Sequence, residues 1–206
     1  MRARGPLASN SLWCRNKPKR RNAAGHAAGI VSTCGGLFGA AGRNGEHMSF
    51  ERAKAYLEQA GFGDRIITPE QSSATVEEAA AALGCEPEHI AKTMSFIVDG
   101  APVLIVCAGD ARVDNHKFKE RFHTKAKMIH PDEVEELVGH APGGLCPFGA
   151  DEGVAVYLDE SLRRFDVVYP AAGNGHSAVR LTVSELEQVS RPASWVDVCK
   201  LSEAAR

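Results

Sequence analysis

Asp99-Gly100, set between the apolar runs 93–98 and 102–108, constrains this chain more than any other feature. Asp-Gly suits the two positive-φ positions of a two-residue hairpin turn whose twist matches its strands, so an antiparallel pair is expected here. Around that pair the pattern alternates between helix and strand. Ser49 is placed to cap a helix with apolar positions Phe50, Ala53, Leu57 and Ala60, ended by Gly61. Thr75-Val-Glu-Glu78 is a capping box for a second helix running to Gly84, and Pro87 and Glu88 lead a short helical turn before Ile90. Asp114 can cap a helix through Phe122, residues 126–129 read as a short strand, and Pro131-Asp-Glu opens a helix reaching Val138. Residues 154–158, 167–169 and 177–181 read as strands, and a second capping box, Thr182-Val-Ser-Glu185, opens a last helix to about Val189. Helices interleaved with strands, two of them in a hairpin, predict an α+β domain rather than a doubly wound parallel sheet.

The 206 residues carry a formal net charge of −2, but that near-neutrality averages two unlike parts. Residues 1–47 hold eight Lys or Arg against Glu46, a balance of +7, together with eight of the 20 glycines, which leaves −9 for residues 48–206. The first segment has neither a helical nor a strand period and no apolar face to offset the entropy of ordering, so it reads as disordered. Its make-up fits a transit peptide, a nucleic-acid arm around residues 17–21, or sequence upstream of a fold that starts at Met48. One domain over residues 48–206 is the expectation. No run approaches the ~18 apolar residues of a membrane span, and without a secretory signal the cytoplasm is the expected compartment.

The six cysteines, at 14, 34, 85, 107, 146 and 199, form no C-x-x-C pair and have no His at zinc-finger spacing, so neither a metal site nor a redox motif is signalled. Dinucleotide, P-loop, metalloprotease and serine-hydrolase signatures are absent as well, and no cofactor is expected. Three segments hold the remaining chemistry. Lys92 stands at the entry to an apolar strand, where its charge either snorkels to solvent or meets a phosphate or carbonyl oxygen. Pro142-Gly-Gly-Leu-Cys-Pro-Phe-Gly149 is either a tight connection or a loop whose glycines let successive N–H groups face an anion or a developing oxyanion. Ala171-Ala-Gly-Asn-Gly-His176 is a hairpin loop that offers Asn174 and His176 as binding groups.

Taken in order, Ile90-Ala-Lys-Thr-x-x-Phe96, the Asp-Gly hairpin, Gly143-Gly-x-x-Pro-Phe-Gly149 and Ala172-Gly173 followed by Leu181-Thr-x-x-Glu-Leu186 resemble the YbaK/prolyl-tRNA synthetase-associated domain family over roughly residues 49–200. That family comprises free-standing aminoacyl-tRNA deacylases related to the editing domain of bacterial prolyl-tRNA synthetase. The resemblance implies a single compact domain with a curved, barrel-like mixed sheet flanked by helices. It implies hydrolysis of the ester joining a wrong amino acid to the 3′-terminal adenosine of tRNA. By position it makes Lys92 the essential lysine, holding the terminal phosphate or the substrate carbonyl. Gly143 and Gly144 become the pair that positions the water or the scissile carbonyl, and Gly173, with Asn174 and His176 on the same loop, borders the amino-acid pocket. No protein nucleophile is implied, because an aminoacyl ester is already activated and has a vicinal hydroxyl, so fixed geometry and charge stabilisation suffice.

The family branch acting on cysteinyl-tRNA(Pro) carries a Ser-Gly-Gly-Lys-Arg-Gly loop with an acid two positions later. Here the loop is Ala171-Ala-Gly-Asn-Gly-His176 and the later position is Ala178, which directs the expectation to alanine, serine or threonine ahead of cysteine, on a tRNA(Pro)-type substrate. Arg112, Lys117, Lys119, Arg121, Lys125 and Lys127 put six basic residues in sixteen, and they are expected to contact acceptor-end phosphates; the alternative is a solvated helix face. The implied partners are mischarged tRNA and an aminoacyl-tRNA synthetase, with the chain a monomer or weak dimer. The rival reading is a non-catalytic adaptor of the same fold that binds tRNA or a synthetase.

Overall fold

The computed structural model describes residues 41–69 and 75–202. The basic, glycine-rich stretch expected to be disordered therefore lies, up to residue 40, outside the described residues. Helix α1 spans Ala41–Gln59, strand β1 Ile66–Ile67 and helix α2 Val76–Leu83. Strands β2, Ile90–Val98, and β3, Ala101–Ala108, precede β4, Ala111–Val113, and the helices α3, Asn115–Phe122, and α4, Pro131–Val138. Then come β5, Ala155–Asp159, β6, Val167–Pro170, β7, Ala178–Val179, and β8, Leu181–Thr182. Helix α5, Val183–Ser190, and strands β9, Ser194–Val196, and β10, Cys199–Leu201, complete the order.

The hairpin forms as its turn residues require. β2 and β3 pair from Ala91 opposite Ala108 to Val98 opposite Ala101, with Asp99 and Gly100 at φ 51° and 81°. This pair is the centre of a six-stranded sheet in the order β8-β6-β2-β3-β5-β9. The sheet is mixed: β6 runs parallel to β2, β5 to β3 and β9 to β5, while β2–β3 and β6–β8 are antiparallel. It curls into a half-barrel flanked by helices, an α+β fold.

Residues 104–108 of β3 are wholly buried, and a chain of tilted and edge-on ring contacts, Phe96–Phe118–Phe122–Tyr157 at centroid spacings of 5.1, 4.8 and 5.2 Å, fastens α3 to the sheet. Full burial of a side chain such as Phe118 is worth about 1.5–3 kcal/mol. Three helix starts follow the sequence signals. Both capping boxes close, at Thr75 with Glu78 and at Thr182 with Glu185, and the Asp114 carboxylate accepts from the His116 and Lys117 N–H groups. Asp159, almost fully buried, accepts from the N–H groups of Ser161, Val198 and Cys199, tying the end of β5 to the last strand.

Three expectations change. α1 begins at Ala41, so Ser49 is an interior helical residue whose hydroxyl donates back to the Gly45 carbonyl, rather than a cap. Its early turns, with Gly42 and Gly45 and no apolar repeat, carry no periodic signal. Residues 126–129 make one bridge, Phe96 to Met128, instead of a strand. The run 177–181 divides into two strands that change partner, β7 pairing with β1 and β8 with β6. Among the described residues no helix is long and apolar enough to cross a membrane.

Candidate active site

Parallel pairing of Ile90 with Tyr169 and of Ala91 with Pro170 sets the start of β2 beside the 171–178 loop. The 142–145 loop closes on the same place, and together with one side of α2 these segments enclose a cleft of about 410 Å³. Lys92, Gly143, Asn174 and His176 all wall it, so residues far apart in sequence meet at one site. Among the described residues that wall the cleft there is no carboxylate, and Lys92 is the one residue of fixed positive charge. The rest of the lining is largely apolar, with Ala79, Leu83, Val134 and Leu145 among it, and the exposed Met128 stands at the rim.

Gly144 and Gly173 serve by lacking a side chain. A Cβ on Gly144 would lie 2.1 Å from the Gly173 carbonyl oxygen, and one on Gly173 would lie 2.4 Å from the Ser49 carbonyl oxygen. Backbone is thus stacked on backbone in three layers, the 142–145 loop on the 171–176 loop on α1. Gly173 also sits at φ 96°, a conformation closed to most side chains. Gly143, at φ 88°, turns the loop at the cleft wall, and Gly144 N–H closes the turn onto the Ala141 carbonyl at 3.0 Å.

The Lys92 ammonium is half-buried and donates to the Gly109 carbonyl at 2.9 Å. That bond employs one of the three N–H donors a lysine has, so two remain for a phosphate or carbonyl oxygen. Asn174 is engaged within its own loop, its Oδ1 accepting from the His176 N–H at 2.8 Å, which shapes the turn and leaves His176 exposed. Two residues were not singled out from sequence: the hydroxyls of Thr93 and Ser177, both in the cleft wall, are buried without a hydrogen-bond partner. Thr93 follows the motif lysine directly, the one hint the sequence held.

A second pairing resembles a nucleophile with its base, since the Cys146 thiol lies 3.8 Å from His140 Nε2. Burial argues against that role. It pushes the thiol up to about 12 and, with a contribution from the Arg52 charge, drives the imidazole down to about 4, so both groups stay neutral and wholly inaccessible. Among the described residues no group of three or more His, Cys, Asp or Glu side chains converges on a point where a metal would bind.

The six basic residues differ in what they touch. Lys117 donates to Asp197 and to the Cys199 carbonyl, Asp197 holding its ammonium above the ordinary lysine range. Arg121 bonds Ser194 and lies over the Phe122 and Tyr157 rings. Arg112 borders a separate hollow with Lys117, Arg164 and Lys200. Lys119, Lys125 and Lys127 are exposed, and their ammonium groups have no ion-pair partner among the described residues.

Residues 70–189 match the model of the aminoacyl-tRNA editing domain. The chain is 46% identical over 154 residues to YwhH, an uncharacterized protein of Bacillus subtilis (strain 168), covering 74% of this chain and 98% of that one. It is 27% identical over 142 residues to a proline–tRNA ligase of Streptococcus suis (strain 05ZYH33), of whose length it spans 22% against 68% of its own. Among solved structures it is similar to a proposed trans-editing enzyme for prolyl-tRNA synthetase, at TM-score 0.67 and 31% identity, over 74% of this chain and 97% of that one. With more than half of the chain inside the family model, and a near-full-length relative well above the identity at which family is secure, the chain belongs to the aminoacyl-tRNA editing domain family.

Proposed function

We propose that this chain is a trans-editing hydrolase that cleaves the ester of a mischarged aminoacyl-tRNA in the cytoplasm. The observation that carries the reading is the convergence of Lys92, Gly143, Asn174 and His176 on one cleft in whose wall the described residues place no carboxylate and no thiol. Such a wall favours an anionic, already activated substrate attacked by water. The 3′-terminal ester enters with its adjoining phosphate or its carbonyl oxygen toward Lys92. Water adds to the carbonyl carbon, and the charge that gathers on oxygen is met by the ammonium and by N–H groups of the glycine loop. Collapse of the intermediate breaks the bond to the ribose 3′-oxygen, which takes the proton and leaves tRNA and free amino acid. The Thr93 and Ser177 hydroxyls are available to orient water or the ribose once their side chains rotate into the cleft.

The substrate class is a small amino acid, alanine, serine or threonine ahead of cysteine, on a tRNA(Pro)-type acceptor. A second site of this kind is needed because one methylene is worth only ~1–3 kcal/mol in a synthetase pocket. The test is release of radiolabelled amino acid from tRNAs mischarged with each candidate. Hydrolysis of at least one, with correctly charged prolyl-tRNA spared, is the expected result. A chain that binds these tRNAs and hydrolyses none is the adaptor instead.

A further inference from the structure

We propose that Ser49 is a positioning residue for this reaction, and that the turn of α1 from residue 45 to 49 belongs to the functional unit; the proposal rests on the deacylase reading above. Ser49 is 3% exposed and is not among the residues that wall the cleft. Its hydroxyl donates to the Gly45 carbonyl at 2.9 Å and accepts from the Ala141 N–H at 2.7 Å. The Ala141 carbonyl in turn accepts from the Gly144 N–H at 3.0 Å. Two hydrogen bonds therefore connect a helical side chain to the second glycine of the loop. The Ser49 carbonyl lies 2.4 Å from where a Gly173 Cβ would stand, so the same residue meets the other glycine loop through its backbone.

Neighbours on α1 extend the grip. Arg52 donates to the Gly139 carbonyl at 2.9 Å and to Asp151 at 2.6 Å, one contact at each end of the 139–151 segment. A position on Gly45 for a side chain is filled by Glu135 and Ala141, so the helix and the loop's entry are in close contact there. The hydroxyl has two tasks that alanine performs neither of. Its O–H is held by the helix, which aims a lone pair at the Ala141 N–H, and a buried N–H deprived of that partner draws its loop toward water. Small displacements matter at a site that works by fixed geometry, where about 1 Å is enough to cost a large share of the rate.

The experiment compares Ser49→Ala, Ser49→Cys and Ser49→Thr with wild type, in the full chain, on the mischarged tRNA that wild type hydrolyses fastest. Amide exchange at Ala141 and Gly144 is read in parallel. Cysteine fills the space of serine with a poor acceptor, and threonine keeps the hydroxyl. The expected result is a kcat lowered about 10- to 100-fold in S49A and S49C with KM within about twofold, faster exchange at Ala141, and recovery in S49T to within about threefold. If S49A does not fold, S49C carries the comparison. Unchanged kcat in S49C overturns the proposal, and so does a loss that follows the melting temperature and does not recover in S49T. Should wild type hydrolyse no ester at all, the deacylase reading fails by itself. Exchange at Ala141 then decides the Ser49 link: acceleration in S49C upholds it and protection equal to wild type removes it.

Discussion

Gly144 and Gly173, unlike the glycines of open turns, have backbone where a methyl group would stand. At each, a Cβ would fall within 2.4 Å of a backbone oxygen that has no freedom to rotate away. Gly84, by contrast, takes a left-handed conformation at φ 66° with open space around it. Gly84→Ala is therefore expected to cost about 1–2 kcal/mol of backbone strain alone. Gly144→Ala is expected to cost about 3 kcal/mol and to abolish hydrolysis, since loop must move from loop. Urea unfolding of the two variants beside deacylation rates checks both. Equal behaviour of the two would mean that the stacked backbones do not hold the site. Both glycines stand in motifs visible in the sequence, but why they must be glycine is not legible there, because the colliding oxygens belong to Gly173 and Ser49, far along the chain.

At the scale of elements, the signals written into neighbouring residues came through. Asp99-Gly100 forms its hairpin, Thr75 and Thr182 close their capping boxes, and Asp114 caps α3. What stayed hidden was held by distant partners. The early turns of α1 lack an apolar repeat, and β1, β4, β9 and β10 are too short for periodicity to register. The Asp159 carboxylate is the anchor for the last of these strands, through the Val198 and Cys199 N–H groups. Replacing Asp159 with Ala is expected to cost roughly 2–4 kcal/mol, because buried donors lose their acceptor. Asn at that position, which keeps one carbonyl oxygen, should lose less. Hydrogen exchange at Val198 and Cys199 reports the site directly, and unaltered protection in the alanine variant would contradict the assignment.

The basic stretch divides at this scale too. Lys117 and Arg121 are engaged with Asp197 and Ser194, while Lys119, Lys125 and Lys127 face solvent. Residue spacing could name all six but could not sort them, because their partners come from the C-terminal strands. Reversing the three exposed lysines to Glu is expected to reduce the salt dependence of tRNA binding by a slope of about 2, at roughly 0.7 for each phosphate that is no longer neutralised. A slope equal to wild type would assign these lysines to a merely solvated surface.

For the whole molecule, acid is expected to act through His140. Burial holds its imidazole neutral in the fold, down to about 4 against 6.5 when exposed. Between those values the unfolded chain binds the extra proton, so stability falls as pH drops from about 6.5 toward 4. The loss from this group is about 2 kcal/mol by pH 5 and roughly 3 kcal/mol by pH 4. A His140→Gln chain should show that much less pH dependence in urea midpoints between pH 7 and 5. An identical dependence would place the sensitivity elsewhere. Helix α1 begins at Ala41, ahead of Met48, and its residue Ser49 reaches both glycine loops.

Among the described residues that wall the cleft, Lys92 is the one fixed positive charge. The most direct measurement is the single-turnover rate of ester hydrolysis on the best mischarged tRNA for wild type and Lys92→Ala, with circular dichroism to show that the variant is folded. A loss of at least about 100-fold is expected, the size associated with removing a charge-stabilising donor, with the fold intact. Hydrolysis by folded Lys92→Ala at the wild-type rate would contradict it.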